Sequence, residues 1–420
     1  MKRFLPAWLL LAALAACGDE EPLSIGSELL PPEALRSFEV VLEPGQFLLA
    51  DTAFALYGGL EEAEYLLLAT GFEGVLNARA FARFEIPRAI GVKDTLGVAR
   101  TDSTPNYYRG EVVLYVDSLA EHDTAGNFRV ALHGVPEDWD PAAADWEYRS
   151  DGVRWSVPGG TPGVLLDTAL VNPDSIVLHV DSATMQQWAD TTNARRGALL
   201  SMLDAPARLR TGRPVLKVYA RTRFDPDTTY VVVAQAPEAK FDYRPRLPTT
   251  AGDLRVSGAP TWRSFLHFRP DLRSVTVSCG PGCTVPLAAT SITRAELVLQ
   301  PVPPPAGFSP ELPLLPAGYQ ALVSPEFPLQ RSPVGTAIGI IEAALEPERF
   351  RGGGAPVYLV VTEFVQAAVS DSTANAAGNT ARTDWLTILP VGDLSFGLGA
   401  FAPAPRLRLL LTTAREIQLP

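Results

Sequence analysis

One pattern of β-type landmarks occurs twice in this chain, in the same order. Arg79-Ala80-Phe81-Ala82-Arg83-Phe84 returns as Arg263-Ser264-Phe265-Leu266-His267-Phe268. Arg109-Gly110-Glu111-Val112-Val113-Leu114 returns as Arg294-Ala295-Glu296-Leu297-Val298-Leu299, and Pro214-Val215-Leu216-Lys217-Val218 as Pro405-Arg406-Leu407-Arg408-Leu409. The offsets are 184, 185 and 191 residues. Near-constant offsets over three patterns indicate duplication, which fixes the architecture before any single element is assigned. A fourth landmark lies between them. Ile176-Val177-Leu178-His179-Val180 precedes Met185-Gln186-Gln187-Trp188, and Tyr358-Leu359-Val360-Val361 precedes Phe364-Val365-Gln366.

The landmarks read as strands. Glu111-Val112-Val113-Leu114-Tyr115-Val116 is β-branched and aromatic, and a turn segment leads into it. Ser182 to Trp188 starts with a capping residue and predicts one short helix per unit. The 38 prolines and 33 glycines suit many short strands joined by turns, and 47% hydrophobic content can fill real cores. The expectation is an all-β chain: two tandem antiparallel jelly-roll β-sandwiches, each with a short helix. The first would span 38–223 and the second 224–420, divided near Phe224-Asp225-Pro226-Asp227.

Each unit resembles the DNRLRE family of bacterial extracellular modules, relatives of carbohydrate-binding jelly rolls. The first repeat carries that pattern as Asp51-Thr52-Ala53, Arg79 to Phe84, Trp139, Trp155-Ser156-Val157-Pro158, Trp188 and Pro214 to Tyr219. The second keeps the Arg-Phe and Pro-Arg-Leu strands and lacks the paired tryptophans. The resemblance implies a jelly-roll fold in which Trp139 and Trp155 pack one end of the sandwich.

The N-terminus carries an address. Lys2 and Arg3 precede the apolar run Leu5 to Leu14, which is too short for a permanent bilayer span. Leu14-Ala15-Ala16-Cys17 then follows as in a bacterial lipoprotein signal. Residues 1–16 are expected to be removed and Cys17 acylated. Several acyl chains, at roughly 0.8 kcal/mol per buried CH₂, anchor a protein stably. Residues 17–37 read as an acidic, flexible spacer. Within it, Ile25-Gly26-Ser27-Glu28-Leu29-Leu30-Pro31-Pro32 resembles the start of an uncharacterised family of outer-membrane lipoproteins. That resemblance implies an outer-membrane location, facing the cell exterior or the periplasm.

The net charge is −12, with 35 Lys and Arg against 47 Asp and Glu. Such a body argues against nucleic acid and against anionic membrane surfaces as partners. With Cys17 lipidated, Cys279-Gly280-Pro281-Gly282-Cys283 leaves one close pair, which reads as a local disulfide across a tight turn or as a free pair. The extra Gly282 and the missing βαβ context separate it from thioredoxin motifs.

No catalytic constellation is present. There is no Gly-x-Ser-x-Gly elbow, no His-Glu-x-x-His and no phosphate-binding glycine loop. His122, His133, His179 and His267 are scattered. No cofactor or zinc site is expected. Asp225-Pro226-Asp227 and Asp371-Ser372-Thr373-Ala374-Asn375 offer oxygens to a structural calcium, without EF-hand spacing. The segment Trp139 to Trp155 is richest in groups that bind sugars, since aromatic faces stack on pyranose rings and Arg reaches hydroxyls. Trp146, Tyr148, Arg149 and Arg154 are the candidate contacts. The expected function is a non-catalytic surface lipoprotein binding glycans or cell-surface polymers. The alternative is a structural or assembly lipoprotein that docks other proteins.

Overall fold

The computed structural model describes residues 35–55, 65–94, 96–120, 127–193, 195–247, 254–258, 261–323, 328–352, 354–370, 384–391 and 396–414. Cys17, the signal and nearly all of the spacer lie outside the described residues, as do His122 and Asp371 to Asn375.

The protein is all-β, built as two antiparallel sandwiches with matching strand orders. In the first, the smaller sheet runs Ser175–Asp181, Asn106–Tyr115, Val215–Thr222, Asp225–Gln235. In the second, it runs Val357–Val360, Ser291–Leu299, Arg406–Ala414, Leu35–Leu42. The larger sheets also correspond. Leu165–Leu170, Arg129–Gly134, Ala198–Met202, Leu76–Arg83 and Glu238–Arg244 lie in the order taken by Val334–Ile340, Pro316–Ala321, Trp385–Pro390, Trp262–Phe268 and Leu48–Ala55. The first sandwich's larger sheet also holds Tyr65–Phe72 and Ala207–Gly212.

The pairing does not follow a boundary at 223/224. The opening strands Leu35–Leu42 and Leu48–Ala55 precede the first sandwich in sequence but pair within the second, on Arg406–Ala414 and Trp262–Phe268. The middle strands Asp225–Gln235 and Glu238–Arg244 precede the second sandwich but pair within the first, on Val215–Thr222 and Leu76–Arg83. Val40 faces Leu409, and Val232 faces Val218, the repeat counterpart of Leu409. The two strand pairs therefore fill equivalent slots, each in the other repeat's sandwich.

The exchange is written into the cores. Leu42 and Phe47 of the opening segment are buried in the second core, where Phe47 meets Phe268 with ring centroids 5.4 Å apart. Ala234, Ala239, Phe241 and Tyr243 of the middle strands complete the first core. Alternation explains both: Phe38, Val40 and Leu42 turn one way while Glu39 and Val41 turn outward.

Each sandwich carries a short helix where the repeat predicts one, Ser182–Ala189 and Thr362–Val369. The first is capped by Asp181, one residue before the expected cap, whose carboxylate accepts from Thr184 N at 2.8 Å. Met185 and Trp188 turn into the core.

The sandwiches meet along one face. Arg210 bonds the buried carboxylate of Glu311 at 2.8 Å, and Asp117 holds its Nε at 2.9 Å. Arg208 donates to the Ser309 carbonyl at 2.8 Å, and Ser309 donates to Glu73 at 2.6 Å. Tyr243, Phe308 and Phe396 pack edge-on and stacked around this seam.

Candidate functional site

Between Arg129–Gly134 and Leu165–Leu170 the chain makes a long excursion across the outer face of the first sandwich's larger sheet. Trp139 and Trp155 pin it down. Both are buried against Phe81, with centroids 5.4 and 5.3 Å away. Trp155 Nε1 donates to the Asp145 carbonyl at 2.8 Å. Arg83 lies over the Trp139 ring at 4.4 Å. These two tryptophans are packing residues.

Trp146 is set by local chemistry. The Asp145 carboxylate accepts from the backbone N–H groups of Glu147 at 2.8 Å and Tyr148 at 2.7 Å, an Asx turn that fixes the residue between them. Its ring lies flat under Gly159. A Cβ at Gly159 would stand 2.6 Å from Trp146 Cζ2, and one at Gly160 would stand 2.5 Å from Phe81 Cζ. Both glycines also have positive φ, +81° and +88°. Close approach and backbone conformation together require glycine there.

A cavity of about 400 Å³ remains between this excursion and the sheet. Its chemistry comes from Trp146, Arg79, Arg244, His133 and Asn77, with Val157, Pro158 and Pro162 as an apolar wall. The Arg79 and Arg244 guanidinium carbons lie 5.8 and 5.3 Å from the Trp146 ring centroid. Arg79 donates to the Gly160 carbonyl at 3.0 Å, which ties the excursion to the sheet. Its counterpart Arg263 does the same work in the second sandwich, donating to the Ser332 carbonyl at 2.9 Å. Burial lowers the pKa of Arg79, and the charge of Arg244 lowers it further. Burial also lowers the pKa of His133, against a backbone hydrogen bond at Gly163. Trp146 Nε1 and His133 Nδ1 are buried without a hydrogen-bond partner among the described residues.

Of the four residues singled out from sequence, the structure brings only Trp146 to the cavity, and there it is 4% exposed. Tyr148, Arg149 and Arg154 sit on the small hairpin Tyr148–Ser150 and Val153–Arg154, outside the cavity lining. Arg154 stacks on Tyr148 at 5.2 Å with Glu147 3.7 Å away, and Arg149 faces Glu137 at 3.5 Å. Sequence reasoning missed Arg79, Asn77, His133 and Arg244. Arg79 was visible only as a fold landmark, and Arg244 is brought in by the exchanged strand.

A larger groove of about 540 Å³ lies on the smaller sheet of the second sandwich. Its charges satisfy one another: Arg408 pairs with Glu39 at 2.7 Å, and Arg294 with Glu296 at 2.6 Å and Glu342 at 3.1 Å. Arg109 and Glu111 repeat that motif on the first sandwich, where Tyr219 donates to Glu111 at 2.9 Å. Cys279 and Cys283 are joined as a disulfide across the turn between Thr276–Gly280 and Cys283–Pro286. Asp225 accepts from the Tyr230 hydroxyl at 2.9 Å. Among the described residues no group of three or more His, Cys, Asp or Glu is placed to hold a metal ion. No helix among them is long and apolar enough to cross a membrane.

No family model matches this chain, and no curated protein matches it. Among solved structures, the VP2 subviral particle of infectious bursal disease virus is 11% identical, with a TM-score of 0.11, over 90% of this chain and 72% of that one. A mutant VP2 of the same virus gives 11% and 0.11 over 92% and 72%. Likeness at that TM-score carries no argument about this protein.

Proposed function

We propose that this is a non-catalytic, lipid-anchored surface protein that binds a glycan or cell-surface polymer in the cavity over the first sandwich. The carrying observation is a cavity lined by Arg79, Arg244, Asn77, Thr70 and Ser201 beside an aromatic and apolar wall. Hydrogen-bonding side chains that converge on a recess with an apolar wall suit a polar guest. Cavities of this size suit a small ring, and an indole beside guanidiniums suits a sugar. The full-length protein on a glycan array should retain a defined subset of glycans. Trp146→Phe should weaken that retention while leaving the melting temperature within a few degrees. An array with no retained glycan would sink the reading.

A second reading, docking of another protein, has its own observation. Asp225–Gln235 is an edge strand whose Val231 and Val233 are 53% and 54% exposed. Such an edge offers backbone groups to an added strand. Stoichiometric cross-linking of a partner through this edge, with no glycan retained, would favour it.

The anchor belongs to the same proposal, on an outer membrane and facing the exterior or periplasm. Cys17→Ser should accumulate as an unprocessed precursor on a gel. Normal processing of that variant would refute the lipid attachment.

A further inference from the structure

We infer that the cavity over the first sandwich selects a saccharide bearing a carboxylate, with Arg79 and Arg244 as its charge partners. The inference rests on the glycan reading above and narrows it to one ligand class. The chain as a whole is acidic, at net charge −12. Yet the cavity lining contains two arginines and a histidine, and no aspartate or glutamate. The charged groove on the second sandwich shows the contrast. There Glu39, Glu296 and Glu342 line the same space as Arg294, Arg349 and Arg408. An acidic protein that keeps one recess free of carboxylates leaves that recess to an anion from outside.

Geometry points the same way. Both guanidinium carbons lie within 6 Å of the Trp146 ring centroid, so the two charges flank one indole. Arg79 spends donors on the Gly159 and Gly160 carbonyls, which compensate its dipoles but not its charge. The charge of Arg244 disfavours that of Arg79, and an anion between them would relieve this repulsion. A planar carboxylate fits the fork of a guanidinium, accepting two parallel hydrogen bonds. Val157, Pro158 and Pro162 supply the apolar surface for the C–H face of a ring. Thr70, Asn77 and Ser201 line the same cavity with groups that hydrogen-bond hydroxyls. The ligand that uses all of these is a sugar acid within a chain or at its end.

The test uses the full-length protein and isothermal titration with four matched sets of oligosaccharides. These are uronate and sialate oligomers, their methyl esters, neutral oligomers of the same linkages, and sulfated oligomers. The acids should bind, and the esters, equal in shape but uncharged, should bind about tenfold more weakly or worse. Affinity for the acids should fall as salt rises. Arg244→Gln, at an exposed position, should cost about tenfold for the acids with an unchanged melting temperature. Equal binding of acids and esters would overturn the carboxylate inference and leave the glycan reading standing. Sulfated oligomers binding as well as the acids would overturn carboxylate selection but keep the anion site. Acid binding indifferent to Arg244→Gln would move the site elsewhere and overturn the inference. No binding by any set would end both readings.

Discussion

Asp242 shows how a single side chain on the exchanged strand responds to pH. It is buried beside Arg246, whose guanidinium approaches at 2.6 Å. Burial dominates over that attraction and pushes the carboxyl up to about 6 from an ordinary 3.8. The folded protein therefore holds this proton more tightly than the unfolded chain. Its contribution to stability is full below about pH 4 and is lost as pH rises through about 6, for roughly 3 kcal/mol. Urea unfolding at pH 4.5 and pH 7 should show about 2 kcal/mol of this loss, and Asp242→Asn should flatten the difference. An identical pH slope in the variant would assign the effect to other groups. A second residue-scale prediction concerns Glu311. Glu311→Ala leaves Arg210 with Asp117 as its carboxylate partner and removes the acceptor of the Phe396 N–H, and should cost about 1–3 kcal/mol. Replacing the pair together, as Arg210→Met with Glu311→Leu, should recover much of that loss in denaturant titrations.

The element that governs the rest is the opening strand pair. Phe47→Ala should destabilise the second sandwich by about 3–5 kcal/mol although the residue precedes the first in sequence. Hydrogen exchange should rise first in Ser291–Leu299 and Arg406–Ala414. A rise confined to Leu76–Arg83 and Val215–Thr222 would contradict the strand pairing. The sequence made the strands legible because alternation and β-branching are local, as in Glu111 to Val116 and Arg406 to Leu411. The landmark offsets likewise revealed two equivalent cores. What stayed hidden was the slot each strand pair takes. Phe38, Val40 and Leu42 present to Leu411, Leu409 and Leu407 the same pattern that Tyr230, Val232 and Ala234 present to Ala220, Val218 and Leu216. Either pair satisfies either slot on pattern alone, so local rules cannot choose. The site was half hidden for the same reason. Trp146 stands out in any reading of Trp139 to Trp155, whereas Arg244 reaches the cavity only because its strand joins Leu76–Arg83.

At the scale of the whole molecule, the exchange and the seam tie the two sandwiches into one cooperative body. The second lacks two strands unless the N-terminal chain, on the far side of the first, supplies them. Tyr243, Phe308 and Phe396 run aromatic packing across the seam without a break. Calorimetry should show one transition whose van't Hoff and calorimetric enthalpies agree. Two resolved transitions would mean that the sandwiches melt independently. The order in which the chain is made then acquires a meaning. Ser37 bonds Thr412, a partner 375 residues later. The strands that leave the ribosome first find their seats last, after Arg406–Ala414 has emerged. The first sandwich is complete far sooner, once residue 244 is out. During synthesis the molecule therefore passes through a stage in which the first sandwich is finished and the second is not, while its N-terminal strands stand with open edges. Chaperones that bind such edges have a defined window in which to act on this protein, and it closes only when the final strand arrives.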